Sequence, residues 1–467
     1  MNLILRTLAL LLPVVLAFPP PAQAAARERL PNIIYIMVDD MGYADIGPYG
    51  QKVIRTPRLD RMAAEGLRFT DVYTGASVCA PSRSVLMTGQ HLGHTRVRGN
   101  AGMAGGIPDH NGARRVPLEP HDITVAEVLK SRGYVTGMTG KWGLGEPGST
   151  GEPNWKGFDE WFGYLNQNHA HTHYPDYLWR NQQKLTIEPN VNKQRGQHTH
   201  PLFTDFALDF IRRQSQRPFF LYVPYTLPHQ EMAVPSLGAY ANESWTEEEK
   251  VFAAMITLID QDVGRMLDLL RELRIEDNTI VFFCSDNGGW RRYEGRFDSN
   301  KPFRGAKGDL WEGGLRTSMI VRWPGRVPSG ASSDLPWYFA DVMPTLAELA
   351  GAAVPPNIDG VSVLPAILGQ RQSLDRMLYW EQYGGGALQQ AARWGRWKGI
   401  RHEAAAVTFE LYDLAADIGE TRDVAAGNPD VVRRMEAFLA SAYTPSPNWF
   451  RQPQGQGPGA PKTKKKR

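Results

Sequence analysis

The chain of 467 residues is 42% hydrophobic and 22% charged, with a formal net charge of +3, a balance that excludes a disordered chain and a membrane-embedded one. Its length allows one large domain with a smaller appendage, or two or three ordinary domains. Cysteine occurs twice, at Cys79 and Cys284, which excludes a disulfide framework and leaves a single bridge between them open.

Residues 1–24 combine Arg6, an apolar run at 8–18 and the small residues Ala22-Gln23-Ala24, the pattern of a cleaved signal peptide. The run is too short to span a bilayer, so the expectation is an exported bacterial protein, periplasmic or secreted, with no membrane span. Residues 32–38 form an unbroken apolar run that predicts a strand buried on both faces. It ends in Asp39-Asp40, two carboxylates that repel each other unless a cation sits there; a solvated turn is the other reading. Thr56-Pro57 opens a helix with Leu59, Met62, Ala63 and Leu67 at helical spacing and Gly66 as its stop, and 69–73 reads as a strand. Cys79 then stands ahead of Pro81, which suits the first position of a helix carrying Val85, Leu86 and Met87. A cysteine at a helix N-terminus lies where negative charge is favoured, with Arg83 one turn on as a fixed cation. A buried structural thiol is the plain alternative.

Cys79-x-Pro81-Ser82-Arg83, followed by Leu86-Met87-Thr88-Gly89, resembles the signature of the type I sulfatases, and further segments match in order from about Pro31 to about Val424. The resemblance implies an α/β fold of the alkaline-phosphatase type, a mixed β-sheet sandwiched by helices, with a small C-terminal α+β subdomain of antiparallel sheet plus helix. It implies that a formylglycine-generating enzyme oxidises Cys79 to formylglycine, whose hydrate attacks sulfur with one hydroxyl and expels sulfate with the other. It also makes Asp39 and Asp40 metal ligands, and such hard oxygen donors select Ca²⁺ or Mg²⁺ over zinc.

Residues 123–129 read as a helix and 134–138 as a strand, which runs into Gly140-Lys141-Trp142-Gly143-Leu144-Gly145. This is similar to the family segment Gly-Lys-Trp-His-Leu-Gly, whose lysine contacts the sulfate and whose histidine helps hold and deprotonate the formylglycine hydrate. Lys141 inherits the first role and Gly143 cannot inherit the second. Either another residue takes it or the reaction runs without it. From 146 to 200 the periodicity disappears, which predicts a long functional loop. In it His169, His171 and His173 would share one face if extended, with Tyr174 beside them. A substrate-contacting wall is favoured there over a zinc site, because no acidic or cysteine ligand lies close in sequence.

Residues 203–211 predict a helix and 219–223 a buried strand, followed by His229, which the resemblance places beside the scissile ester. A long helix at 247–273 carries a core stripe from Phe252 to Leu270. The strand at 279–284 holds Cys284 and ends in Ser285-Asp286-Asn287-Gly288-Gly289. By the resemblance, Asp286 and Asn287 complete a metal set with Asp39, Asp40 and Cys79, and Lys307 is a second sulfate-binding lysine. A strand at 319–321 and a helix at 339–349 close a catalytic domain of residues 28–370. A hairpin at 391–400, a strand at 409–414 and a helix at 431–439 give a subdomain of residues 371–447, and 448–467 read as a disordered basic tail. No basic stripe with interleaved aromatics occurs, so no nucleic-acid partner is expected. The expected activity is hydrolysis of a sulfated carbohydrate or aryl sulfate by Cys79, Arg83, Lys141, His229 and Lys307. The alternatives are a phosphoester or phosphonate hydrolase of the same superfamily and an inactive sulfated-glycan-binding homologue.

Overall fold

The first apolar run becomes the strand Asn32–Val38, buried at every residue. Its alternation explains this: Ile33, Tyr35 and Met37 enter one apolar core, and Ile34, Ile36 and Val38 the other, so both faces are covered. The structure, a computed structural model, describes residues 29–450 apart from 294, 385–386 and 404–405. The expected signal peptide and the basic run at 462–467 lie outside the described residues.

Eleven strands of the described residues make the main sheet. Ten run in the order Ala331–Ser333, Leu67–Tyr73, Arg316–Arg322, Thr279–Ser285, Asn32–Val38, Phe219–Pro224, Val135–Lys141, Glu160–Tyr164, Tyr177–Arg180 and Gln183–Thr186, and Trp337–Tyr338 also pairs with Leu67–Tyr73. The five from Thr279–Ser285 to Glu160–Tyr164 in that order are parallel. Their C-terminal ends therefore form one edge, the place where open α/β sheets bind ligands. Antiparallel pairs flank them, so the sheet is mixed. Helices Pro57–Ala64, Thr199–Gln214 and Glu247–Glu272 cover one face, and Cys79–Thr88, Val125–Lys130 and Val342–Ala350 the other. Thr246 and Glu249 cap the long helix reciprocally, and its stripe from Phe252 to Leu270 is buried.

Several boundaries differ from the sequence expectation. The helix Pro57–Ala64 stops before Leu67, which opens the next strand instead. Gly66 allows that path: a Cβ there would lie 2.4 Å from the Val321 carbonyl oxygen. The cysteine helix begins at Cys79 itself with Val78 as N-cap, so Pro81 is its third residue rather than its first. Proline is tolerated there because the first-turn N–H groups have no partner within the helix. The stretch 146–200 is not one loop, since Glu160–Tyr164, Tyr177–Arg180 and Gln183–Thr186 extend the sheet. Cys79 and Cys284 are both free and buried, so no bridge joins them.

Met377–Gly384, Ala387–Trp394, Trp397–Glu403 and Val407–Asp413 form a second, antiparallel sheet. The helix Pro429–Ala442 buries Met435, Leu439 and Ala442 against it. This unit is tied to the main body by buried polar contacts. Lys398 Nζ lies 2.9 Å from Glu312 Oε1, Trp380 Nε1 donates to Thr74 O at 2.8 Å and Arg393 Nε to the Tyr73 hydroxyl at 3.0 Å. Packing continues to Trp449, which is buried and donates to Ala101 O at 3.1 Å, so the tail expected from 448 does not begin there. Among the described residues no helix is long and apolar enough to cross a membrane.

Candidate active site

Register brings the acidic strand ends together. Val38 pairs with Ser285, so Asp39-Asp40 and Asp286-Asn287 leave the sheet side by side, and Asp286 N–H donates to Val38 O at 3.0 Å. Asp40 has a φ of +69°, a conformation that aspartate tolerates better than most side chains. Two bonds hold it: Asp40 N–H donates to Asp286 Oδ1 at 3.2 Å, and Asn287 Nδ2 donates to Asp40 Oδ1 at 2.7 Å. The N-terminus of the helix Cys79–Thr88 points at this pair. Cys79 Sγ lies 3.2 Å from Asp39 Oδ1 and 3.9 Å from Asp40 Oδ1.

Three cations face the three buried aspartates, Lys141 and Arg83 buried themselves and Lys307 half-buried. Lys141, the last residue of its strand, is 2.7 Å from Asp39 Oδ2, and Lys307 is 2.6 Å from Asp40 Oδ2. Arg83 grips Asp286 Oδ2 through Nε at 3.0 Å and Nη2 at 2.8 Å, and donates to the Lys141 carbonyl at 2.7 Å. His229 Nε2 stands 3.3 Å from Asp40 Oδ2. The set predicted from sequence as catalytic or metal-binding is therefore contiguous. Trp290, which the sequence reading missed, walls it: the ring lies 4.5 Å from Lys307 Nζ and edge-on to His229. Its one signal was its place directly after the Asp286-to-Gly289 turn.

Burial would raise the Asp39 carboxyl, but Lys141, His229, Arg83 and Lys307 outweigh it and hold it well below the usual carboxylate range. Asp286 goes the other way, pushed up by burial and by Asp39 against the pull of Arg83. Burial, with Asp39 beside it, also pushes the Cys79 thiol up, overriding the helix N-terminus that was expected to favour an anion. An unmodified thiol here is a weak nucleophile. Burial lowers the His229 imidazole although Asp40 and Asp39 oppose it.

The site suits a hard divalent cation. Asp39, Asp40, Cys79 and His229 place ligand atoms within 4.8 Å of one another. Asn287 Oδ1, an amide oxygen of the kind such cations take, is buried without a hydrogen-bond partner. Mutual repulsion among three buried carboxylates would be relieved by the same charge.

The histidines at 169–173 do not form one wall. His169–His171 is a turn of 3₁₀ helix rather than an extended run. His171 stacks on His229 at 4.6 Å and borders a cavity of about 600 Å³ with Gln230, Glu231, Glu247, Glu248 and Arg292. His173 is fully buried, its Nε2 3.1 Å from His229 O. His169 stacks on Tyr177, and Tyr174 meets His198 edge-on. Of the four residues expected to contact substrate, His171 alone lines this cavity.

Comparison with known proteins agrees with this geometry. The family pattern described as Sulfatase matches residues 31–352. The chain belongs to the sulfatase family. The pattern described as N-sulphoglucosamine sulphohydrolase, C-terminal, matches residues 306–441 of the sulfatase. It is 37% identical over 400 residues to N-acetylgalactosamine-6-sulfatase of Canis lupus familiaris, covering 80% of this chain and 72% of the relative. It is 32% identical over 461 residues to arylsulfatase G of Rattus norvegicus, covering 86% and 84%. Among solved structures, Ps i-CgsB in complex with k-i-k-neocarrahexaose superposes with a TM-score of 0.77 at 30% identity, covering 91% of this sulfatase and 95% of that chain. Sulfatases hydrolyse sulfuric esters, and the family generally uses a metal ion and formylglycine.

Proposed function

We propose that this sulfatase acts through formylglycine formed at Cys79, with Ca²⁺ or Mg²⁺ held by Asp39, Asp40, Asp286 and Asn287, and that its substrates are sulfated carbohydrates or aryl sulfates. The observation that carries the reading is the meeting of Cys79, three aspartates, three cations and His229 at one strand edge. A hydrated aldehyde at 79 would supply the attacking hydroxyl, and the bound cation would neutralise negative charge at the sulfuryl oxygens. Lys141 and Lys307 flank that point and would pair with the sulfuryl oxygens. Arg83 orients Asp286 and, through the Lys141 carbonyl, the end of the Lys141 strand. His229, placed by a core strand, would donate a proton to the departing alcohol oxygen.

A sugar substrate is supported by the name of the canine relative and by the oligosaccharide in the Ps i-CgsB complex. The polar cavity beside His171 and His229 is of a size for such a ligand. The leader at 1–24 supports export to the periplasm or beyond. Maturation by a formylglycine-generating enzyme and the division into 28–370 and 371–447 belong to the same proposal. Side-by-side turnover of 4-nitrophenyl sulfate and 4-nitrophenyl phosphate tests it. Sulfate should be preferred, and the activity should vanish in Cys79→Ala. Preference for phosphate would move the chain to the phosphoester branch, and glycan binding without turnover would mark an inactive homologue.

A further inference from the structure

Gly143 opens space two residues beyond Lys141, and another segment fills it. Past Lys141 the chain stays paired with its neighbour: Trp142 N–H donates to Tyr164 O at 2.9 Å, and Gly143 N–H to Leu165 O at 3.1 Å. A Cβ at 143 would lie 2.6 Å from Gln167 Oε1, and beyond that amide nothing outside the adjoining residues would come within 4 Å. Gln167 is 2% exposed, and neither its Oε1 nor its Nε2 has a hydrogen-bond partner among the described residues. Such a group is costly as mere filling, because an apolar side chain of the same length would pack there without unmet polar atoms.

Its position is enforced from both sides. Asn166 Oδ1 accepts from the N–H groups of Asn168 at 2.7 Å and His169 at 3.1 Å, while Asn166 Nδ2 donates to Glu146 Oε1 at 2.6 Å. Four residues after Gln167, His171 stacks on His229. The amide is thus held against the turn that follows the Lys141 strand, on a segment whose His171 stacks on His229.

We propose that Gln167 hydrogen-bonds the reacting group at the place Gly143 leaves open, donating through Nε2 to a sulfuryl oxygen and accepting through Oε1 from a hydroxyl. An amide carries donor and acceptor at fixed positions and does not titrate in this range, so it orients and stabilises without moving a proton. The inference rests on the sulfatase site proposed above. Gln167→Met keeps the side-chain length and removes both hydrogen-bonding ends. With formylglycine content fixed by mass spectrometry and 4-nitrophenyl sulfate as probe, kcat should fall by about 10²-fold while KM stays nearly unchanged. The thermal midpoint should match or exceed that of the wild type, because a buried unmet amide is gone. Unaltered kcat in Gln167→Met, whether or not the thermal midpoint drops, marks a structural residue and overturns the proposal. Wild-type turnover reports on the sulfatase site, and the ratio of variant to wild type reports on Gln167, so the two fail separately.

Discussion

Lys398→Met removes the cation that joins the second sheet to the active-site segment. Lys398 Nζ lies 2.9 Å from Glu312 Oε1 and 3.7 Å from Glu420 Oε1, with all three side chains fully buried. Burial alone would raise the Glu312 carboxyl; Lys398, then Arg316 and Arg393, bring it down to about 2 from an ordinary 4.5. That displacement is worth about 3 kcal/mol. Losing one partner of a buried pair costs about 3–5 kcal/mol, and the low end applies because the Tyr73 hydroxyl still donates to Glu312 at 2.8 Å. The sign with pH follows. In the wild type the depressed carboxyl adds stability above about pH 4.5, lost as pH falls through about 2. In the variant, burial raises the carboxyl, so the folded state takes up a proton before the unfolded chain does. The deficit should be largest at pH 8 and shrink at pH 5, and adding Glu312→Gln should recover part of it. Urea unfolding followed by tryptophan fluorescence at the two pH values measures both effects. A loss of under about 1 kcal/mol at pH 8, where a buried pair demands more, or a deficit that grows toward pH 5, refutes the reasoning.

His229→Ala should lower kcat by about 10² to 10⁴-fold for a sugar sulfate and much less for an activated aryl sulfate, since a good leaving group needs no proton; equal losses on both contradict its role. His171→Ala should act on KM for a sugar sulfate, because His171 lines the cavity, and a kcat collapse confined to His171 would reverse the assignment. Chelation should abolish turnover, with Ca²⁺ or Mg²⁺ restoring it; restoration by zinc alone would contradict the assignment of the oxygen donors Asp39, Asp40, Asp286 and Asn287 as the holders.

The site was legible because its residues end core strands. Runs such as 33–38 and 280–284 are apolar, their strands are buried throughout, and each leads into the aspartates that matter, so local pattern marked both fold and chemistry. Gln183–Thr186 left no such mark because every residue in it is exposed, and Tyr177–Arg180 is mostly half-buried. Ion pairs between distant segments were invisible for another reason. Arg98 meets Glu381 across 283 residues and Lys398 meets Glu312 across 86, with no periodicity to announce either. The histidine cluster misled because its alternating spacing assumed an extended chain, whereas Asn166 and its hydrogen bonds turn the segment into a 3₁₀ helix. Gln167 is one polar residue in that segment, and its meaning depends on Gly143, 24 positions earlier.

The most direct test is the mass of the peptide that contains Cys79, taken from protein coexpressed with a formylglycine-generating enzyme. Cys79 is fully buried in the folded chain, so oxidation has to precede folding, and treating the folded thiol form with the same enzyme should leave it unchanged. Coexpression should give a peptide lighter than the thiol form, reactive toward hydrazide probes and present in proportion to sulfatase activity. Full activity in protein whose Cys79 remains an alkylatable thiol would contradict the account.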